Sequence, residues 1–372
     1  MAKGKNIEVK NGNLEGHIRE LLREFLQKGI VDAVLVPQEV ASGDNVVQTL
    51  VVDPGRMEKV RVLAPVMPVN SARIVSAMTK VSPSPKRVGV VMRPCEMRAF
   101  VELIKLKQAA QENLVLIGID CHGTYSVEEY ARLSKNGGSA QENYWKAARE
   151  GKEDQSLRTI CQICEYPTPL GADLTIGFIG LTEIRLESGS SQGEQIFEKM
   201  GWEADEDGKQ RETAVSELVT KRTKKRDELF QELKGKVQGL ENLLSVLATC
   251  INCHNCKTAC PLCYCKECFF DSSTFEWEAE QYLGWAERQG LMRMPTDTLL
   301  FHLTRMVHMA HSCVGCGACS EACPNNIPVA DLFRLVGRDV QAIFDYVPGR
   351  KLEEPIPITT FREDELKTVG EK

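Results

Sequence analysis

The chain has 372 residues, 15 cysteines and a formal net charge of −6 at pH 7. That balance excludes the basic footprint a phosphate backbone requires, so no nucleic-acid partner is expected. The chain is too long for a disulfide-stapled secreted scaffold, its opening MAKGKNIEVKNG has no apolar signal core, and no run approaches about 18 apolar residues; reduced thiols in a cytoplasmic protein without direct membrane insertion are expected.

Residues 14–120 alternate helical and strand signals in the manner of an α/β domain. Ile18, Leu21, Leu22, Phe25 and Leu26 recur at helical spacing, and Gly29 stops that helix before an apolar strand over 31–36. Further strands are expected over 46–52, 88–92 and 114–119, with Pro94 opening a helix that runs to about residue 107. Two buried strands around one helix make a βαβ unit, which imposes parallel pairing. Cys95 and Cys121 then follow the carboxyl ends of two strands that, as neighbours, lie about 4.8 Å apart.

A polar segment, 134–158, leads to Cys161-Gln162-Ile163-Cys164. These four cysteines could complete a four-thiolate site, although Cys95 and Cys121 taken singly read as buried small hydrophobes. An acidic, glycine-bearing stretch over 187–208 precedes a charged helix over 214–234. That helix mixes Lys221, Arg222, Lys224, Lys225 and Arg226 with Glu217, Asp227, Glu228 and Glu232. It reads as a solvated linker, or as a dock for a partner or a cofactor phosphate.

Residues 240–346 carry the pattern C-x2-C-x2-C-x3-C-P twice: Cys250, Cys253, Cys256, Cys260, Pro261 and Cys313, Cys316, Cys319, Cys323, Pro324. Three closely spaced thiolates wrap one [4Fe-4S] cube and the fourth comes from the other motif. The expected sets are Cys250, Cys253, Cys256, Cys323 and Cys313, Cys316, Cys319, Cys260. A zinc ribbon, the alternative, uses C-x2-C pairs without the trailing proline. The 52 residues between Cys260 and Cys313 hold helical candidates at 276–289 and 296–311, with another at 329–344 opened by Pro328, so the domain is helical rather than a compact ferredoxin. Cys263, Cys265 and Cys268 are surplus. They could bind a further metal with His254, His302, His308 or His311, substitute as a ligand, act as a redox thiol, or simply be buried.

Several ordered motifs resemble the beta subunits of coenzyme F420-reducing hydrogenase and F420-dependent formate dehydrogenase. They are Gly29-Ile30-Val31-Asp32-Ala33-Val34-Leu35-Val36, Pro94-Cys95-Glu96-Met97-Arg98-Ala99, Gly118-Ile119-Asp120-Cys121, Cys161-Gln162-Ile163-Cys164 and Ala172-Asp173-Leu174-Thr175-Ile176-Gly177-Phe178-Ile179-Gly180. The resemblance implies a third [4Fe-4S] cluster on Cys95, Cys121, Cys161 and Cys164. It also implies FAD, with Thr175 offering a hydroxyl and Gly177 and Gly180 letting backbone approach it; no G-x-G-x-x-G follows a strand. The chain departs from the family at Glu15-Gly16, where a Gly-Gly pair is usual, at Glu96, and over 65–71. These departures put coenzyme F420 itself in question as the two-electron partner, with NAD(P) as another candidate. The helical cluster region resembles that of heterodisulfide reductase subunits.

The expected fold is an α/β flavin and iron–sulfur domain with a mainly parallel sheet, residues 1–210, and a charged helical linker, 211–239. A mostly α-helical dicluster domain, 240–346, and a tail, 347–372, complete it. The expected role is an electron-transfer subunit working with catalytic or electron-transfer subunits of a hydrogenase, formate dehydrogenase or heterodisulfide-reductase-like complex. The chain has neither the paired nickel-binding C-x2-C motifs of a hydrogenase large subunit nor a long molybdopterin-binding region, so hydrogen or formate chemistry is expected in a partner. Its own catalytic residues are unassigned. A flavin-free conduit and a zinc-stabilised scaffold are the rival readings.

Overall fold

The computed structural model describes residues 3–135, 140–149, 154–205 and 208–359. In chain order the first elements are β1 (Gly4–Ile7), α1 (Leu14–Gln27), β2 (Ala33–Glu39), β3 (Val46–Val51), α2 (Ser71–Thr79), β4 (Val88–Met92), α3 (Pro94–Lys105) and β5 (Leu114–Ile119). Then come α4 (Val127–Lys135), α5 (Ala140–Arg149), α6 (Thr159–Gln162), β6 (Leu174–Gly177), β7 (Ile184–Ser188), α7 (Ser191–Met200) and α8 (Lys209–Val237). The last third is helical: α9 (Leu240–Val246), α10 (Asn255–Ala259), α11 (Ala279–Gln289), α12 (Thr298–Met309), α13 (Ala318–Glu321) and α14 (Val329–Ile343).

The strands form one seven-stranded sheet in the order β1-β7-β6-β5-β4-β2-β3. Its centre, β2-β4-β5-β6, is parallel, and its margins, β3 on one side and β7 and β1 on the other, are antiparallel. The mostly parallel strands are as expected, and the antiparallel margins make the sheet a mixed one. The marginal strands β1 and β7 are only four and five residues long, too short for periodicity to announce them.

Alternation within the central strands explains why they are apolar throughout. Val115 and Ile117 of β5 face α1, where Ile18, Leu22 and Phe25 are fully buried, while Leu114 and Leu116 face α2 and α3 with Val75, Phe100 and Leu103. A strand covered on both faces needs no polar positions. Helix α1 starts where the Asn13 side chain accepts a hydrogen bond from the Gly16 amide at 2.9 Å.

The helical third is not a separate lobe. Leu262 and Val314, with Cys260 and Cys316, pack into the same core as α2 and α3. A C-terminal strap fixes this contact: Glu102 of α3 accepts from the Tyr346 hydroxyl at 2.6 Å and the Gly349 amide at 2.8 Å, and Arg98 Nε donates to the Pro348 carbonyl at 2.8 Å. Nor is α8 a solvated linker. It buries Arg211, Arg222, Phe230 and Leu233, the last two against Ile160, Ile163 and Leu335. Helices α11, α12 and α14 begin or end within a few residues of their expected bounds, and Pro328 sits just before α14 as its cap rather than inside the first turn. Among the described residues, no helix is long and apolar enough to cross a membrane.

Candidate metal centres

The register β4–β5 pairs Met92 with Gly118, so the chain leaves both strands at one level, and Cys95 and Cys121 follow side by side. Cys121 and Cys164 lie within electrostatic reach of Cys95, and Cys161 and Cys164 within reach of Cys121. The four thiols expected from Pro-Cys, Gly-x-x-Cys and C-x2-C thus converge. Gly123, at φ +112°, lets the loop after β5 pass close to Cys161, where a Cβ would stand 3.1 Å from the cysteine's own Cβ. Helix α8 closes the same loops from outside. Arg222 Nη2 donates to the His122 carbonyl at 2.6 Å, Lys225 bonds Gln162, and Arg226 and Arg334 pair with Glu165.

In the tandem repeat Cys323 lies within reach of Cys250 and Cys256 of the first motif, and Cys260 within reach of Cys319 of the second. The two loops match. Asn252 and His254 in the first, and Gly315 and Gly317 in the second, all adopt positive φ, two and four residues after the leading cysteine. Asparagine and histidine tolerate that conformation where there is room. At Gly315 and Gly317 there is none, because a Cβ would collide with Arg334 and with Ile160.

The donor chemistry fits iron–sulfur clusters. Burial pushes the Cys121 thiol up to about 11 and the Cys260 thiol up to about 12, and raises the Cys95 thiol as well. Such thiols become ligands only against a cationic group that favours their thiolates. Cys161 goes the other way: burial is overcome by the Arg158 guanidinium, 3.6 Å from its sulfur, and by the Thr124 hydroxyl at 3.5 Å. Further contacts reach the sulfurs of Cys250, from His302 Nε2 at 3.4 Å, and of Cys256, from Arg305 Nη1 at 3.2 Å. Among the described residues, no three His, Cys, Asp or Glu side chains are arranged to hold a single metal ion. A four-iron cube is larger than one ion, so its ligands stand further apart. Cys265 and Cys268 lie within reach of Cys263, while His254 and His302, two of the suggested completing ligands, are engaged by Asp271 and Cys250.

The three residues suggested for FAD lie on β6 and just after it. Thr175 sits within β6 opposite Gly118 and Glu187. The place a Cβ of Gly177 would take is filled by Arg211, which pairs with Asp120 at 2.6 Å. Gly180 lines a cavity of about 240 Å³ with His122, Tyr144, Lys221 and Arg222. A second cavity, of about 890 Å³, lies between the sheet region and the helical third, lined by Met67, Asn70, Arg158, Gly317, Cys323 and Asp331 among others. Small-molecule sites span about 300–1,000 Å³, so size favours the second. Its lining residues include three with a buried polar atom that has no hydrogen-bond partner: Asn70 Nδ2, Arg158 Nε and Asp331 Oδ1.

The departures from the family pattern converge on one wall of that cavity. The Glu15 carboxylate accepts from the Val62 and Leu63 amides at 2.8 and 3.0 Å and from Gln141 at 2.5 Å. The Glu96 carboxylate accepts from the Ser71 amide and hydroxyl at 2.9 and 2.7 Å and from the Arg93 amide at 2.9 Å. Glu15 thus holds the chain just before the altered segment 65–71 and the buried Glu96 holds its end, while 67–70 line the cavity. Sequence reading found the altered positions but not their link. It missed Arg158 and Arg305 altogether, although Phe301, His302 and Arg305 share one face of α12 and all three are buried there.

Comparison with known proteins agrees with the motif order. Residues 85–238 match the C-terminal part of the coenzyme F420 hydrogenase/dehydrogenase beta subunit, and residues 246–327 match the 4Fe-4S dicluster domain. The F420-dependent formate dehydrogenase subunit beta of Methanocaldococcus jannaschii is 26% identical over 374 residues, which cover 92% of this chain and 93% of that protein. F420-dependent formate dehydrogenase 1 subunit beta of Methanococcus maripaludis is 24% identical over 385 residues, covering 93% and 94%. A solved structure of the F420-reducing [NiFe] hydrogenase complex from Methanosarcina barkeri aligns with a TM-score of 0.47 at 14% identity, over 65% of this chain and 94% of that one. Residues 85–238 are thus similar to the C-terminal part of the coenzyme F420 hydrogenase/dehydrogenase beta subunit, and residues 246–327 to a 4Fe-4S dicluster domain.

Proposed function

We propose that the chain is the electron-relay subunit of an oxidoreductase complex of the formate dehydrogenase or hydrogenase type, with three [4Fe-4S] clusters and FAD. The hydrogen or formate site belongs to a partner subunit. When bound, the clusters supply one-electron carriers, and FAD supplies exchange between single electrons and a hydride for F420 or another two-electron carrier.

The observation that carries this reading is the continuity of the thiols. The largest charged neighbour of Cys95 is Cys316, so the upstream quartet abuts the middle one (Cys260, Cys313, Cys316, Cys319). The middle one meets the outer quartet (Cys250, Cys253, Cys256, Cys323) around Arg305. Cys253 is exposed, which gives the outer quartet an edge toward a partner.

For FAD the support is the larger cavity, whose lining includes Arg158, next in line to the upstream quartet, and Cys323 of the outer one. In this reading Arg73 meets the cofactor's negative charge, and Met67, Pro68 and Val69 keep water from its apolar face. Glu15 and Glu96 hold that wall in position. A second reading, a flavin-free conduit, is favoured by Arg211 filling the space beside Gly177.

Anaerobic reconstitution followed by iron and flavin analysis separates them. The relay predicts a brown protein with about 12 iron atoms per chain from three four-iron clusters, retained FAD, and reduction of a deazaflavin or NAD(P). A replete chain that holds no flavin under any loading condition leaves the conduit. A colourless zinc protein refutes both.

A further inference from the structure

Two guanidiniums, Arg305 buried and Arg158 half-buried with its Nε covered, lie where neighbouring quartets meet. Arg305 is 4% exposed, held between the rings of Phe301 and Phe333 at 5.4 and 5.1 Å. Its Nη1 donates to the Cys256 sulfur and its Nη2 to the Cys256 carbonyl, both at 3.2 Å, while Cys260 and Cys319 of the middle quartet lie within its electrostatic reach. Arg158 occupies the matching place one junction upstream. It donates to Cys161 and reaches Cys95 on one side and Cys316 on the other, with Glu321 as an acidic neighbour.

Neither guanidinium makes an ion pair with a carboxylate among the described residues, unlike Arg211, Arg226 and Arg334. A buried charge left unpaired is costly, so its counter-charge must come from what it faces. Both face cysteine sulfur. In both, the Nε–H is also buried without a partner, a donor aimed at an acceptor beyond the cysteine set itself. The sulfides and thiolates of a cluster supply that charge and that acceptor.

Resting on the relay reading, we propose that Arg158 and Arg305 are positioning cations, one at each junction, that raise the reduction potentials of the two clusters they separate. Reduction adds an electron to a centre that is already negative. A fixed positive charge and N–H donors to sulfur favour that state, and net charge and hydrogen bonds to sulfur are among the levers known to set cluster potential. Burial keeps the effect strong, because solvent and salt screen it little. Each cation touches two clusters, so the middle cluster feels both and becomes the easiest to reduce.

The test is an EPR-monitored redox titration of the reconstituted full-length chain. In R305M the middle and outer clusters are expected to fall by at least a tenfold change in the reduced-to-oxidised ratio, about 59 mV for a one-electron couple, with the upstream cluster unmoved. In R158M the upstream and middle clusters fall and the outer one stays. R305K, which keeps the charge, restores most of the wild-type value. Should R305M shed iron, R305Q and R305K are titrated instead, with lowered potentials expected for the first and near-wild-type values for the second. Unchanged potentials in replete variants, an equal shift of all three clusters, or iron loss in every Arg305 variant overturns the proposal. Fewer than three titrating centres in the wild type refutes the relay itself and this assignment with it.

Discussion

The outer and middle thiol quartets are each wound from one short loop plus a single returning cysteine, whereas the upstream quartet is assembled from three places between residues 95 and 164. The loops of the repeat carry their geometry locally, in positive-φ residues at fixed offsets from the leading cysteine. The upstream quartet has no such local code. Its thiols meet because β4 and β5 pair in parallel and release Cys95 and Cys121 together, and because α8 presses Cys161 and Cys164 against them. One arrangement is written in spacing; the other is a consequence of topology.

The largest effect that would break this comparison is removal of an upstream thiol. Cys161→Ala is expected to remove about four of about 12 iron atoms and to stop electron flow between flavin and partner, while the repeat stays loaded. Iron analysis with EPR decides it. Unchanged iron would show that the upstream quartet holds no cluster. Loss at the repeat as well would show that the quartets do not load independently, which the shared packing of Cys260 and Cys316 with α3 makes the informative alternative.

A smaller effect sharpens the contrast within the repeat itself. Gly317→Ala forces a side chain into φ +76° and against Ile160. The left-handed conformation costs about 1–2 kcal/mol and overpacking about 1–3 kcal/mol, so a loss of about 2–5 kcal/mol is expected. Asn252→Gly, at the left-handed position of the open loop that matches Gly315, should stay within about 1 kcal/mol. Chemical denaturation of the two loaded variants compares them directly. Similar losses would mean that the two loops are equally confined.

This contrast also explains what was legible in the sequence. The repeat spacing, the strands at 88–92 and 114–119 and the helix that opens at Pro94 could be read from local pattern, and the structure places them there. The upstream quartet was reached through family resemblance rather than through spacing, since nothing local joins residue 121 to residue 161. The antiparallel margins were not legible, because β1 is mostly polar and β6 and β7 are four and five residues long. The linker reading of α8 failed for a related reason. Its basic residues look solvated in a list of charges, yet Arg222 and Arg226 are spent on the loops of the upstream quartet, a use that appears only in three dimensions. The suggested flavin residues show the same ambiguity. A glycine that spares room for an arginine and one that spares room for a cofactor look the same in one dimension.

The smallest effect concerns the seam between the two regions. Asp331, in the first turn of α14, lines the large cavity with Oδ1 unpartnered. Burial raises its carboxyl from 3.8 to about 6, with Arg334 opposing the rise. A carboxyl whose folded value is raised favours folding when protonated. Its contribution is full below the unfolded value near 4 and is lost as pH rises through about 6, a change of up to about 3 kcal/mol. Asp331→Asn keeps the shape and removes the charge. The variant should therefore gain on the wild type as pH rises from 5 to 7 and hold a constant advantage above that. Thermal denaturation of both proteins across this range, at fixed iron content, measures the difference. A gap that does not change with pH would mean that the carboxylate already has a partner in solution, and that the seam is closed where the structure leaves it open.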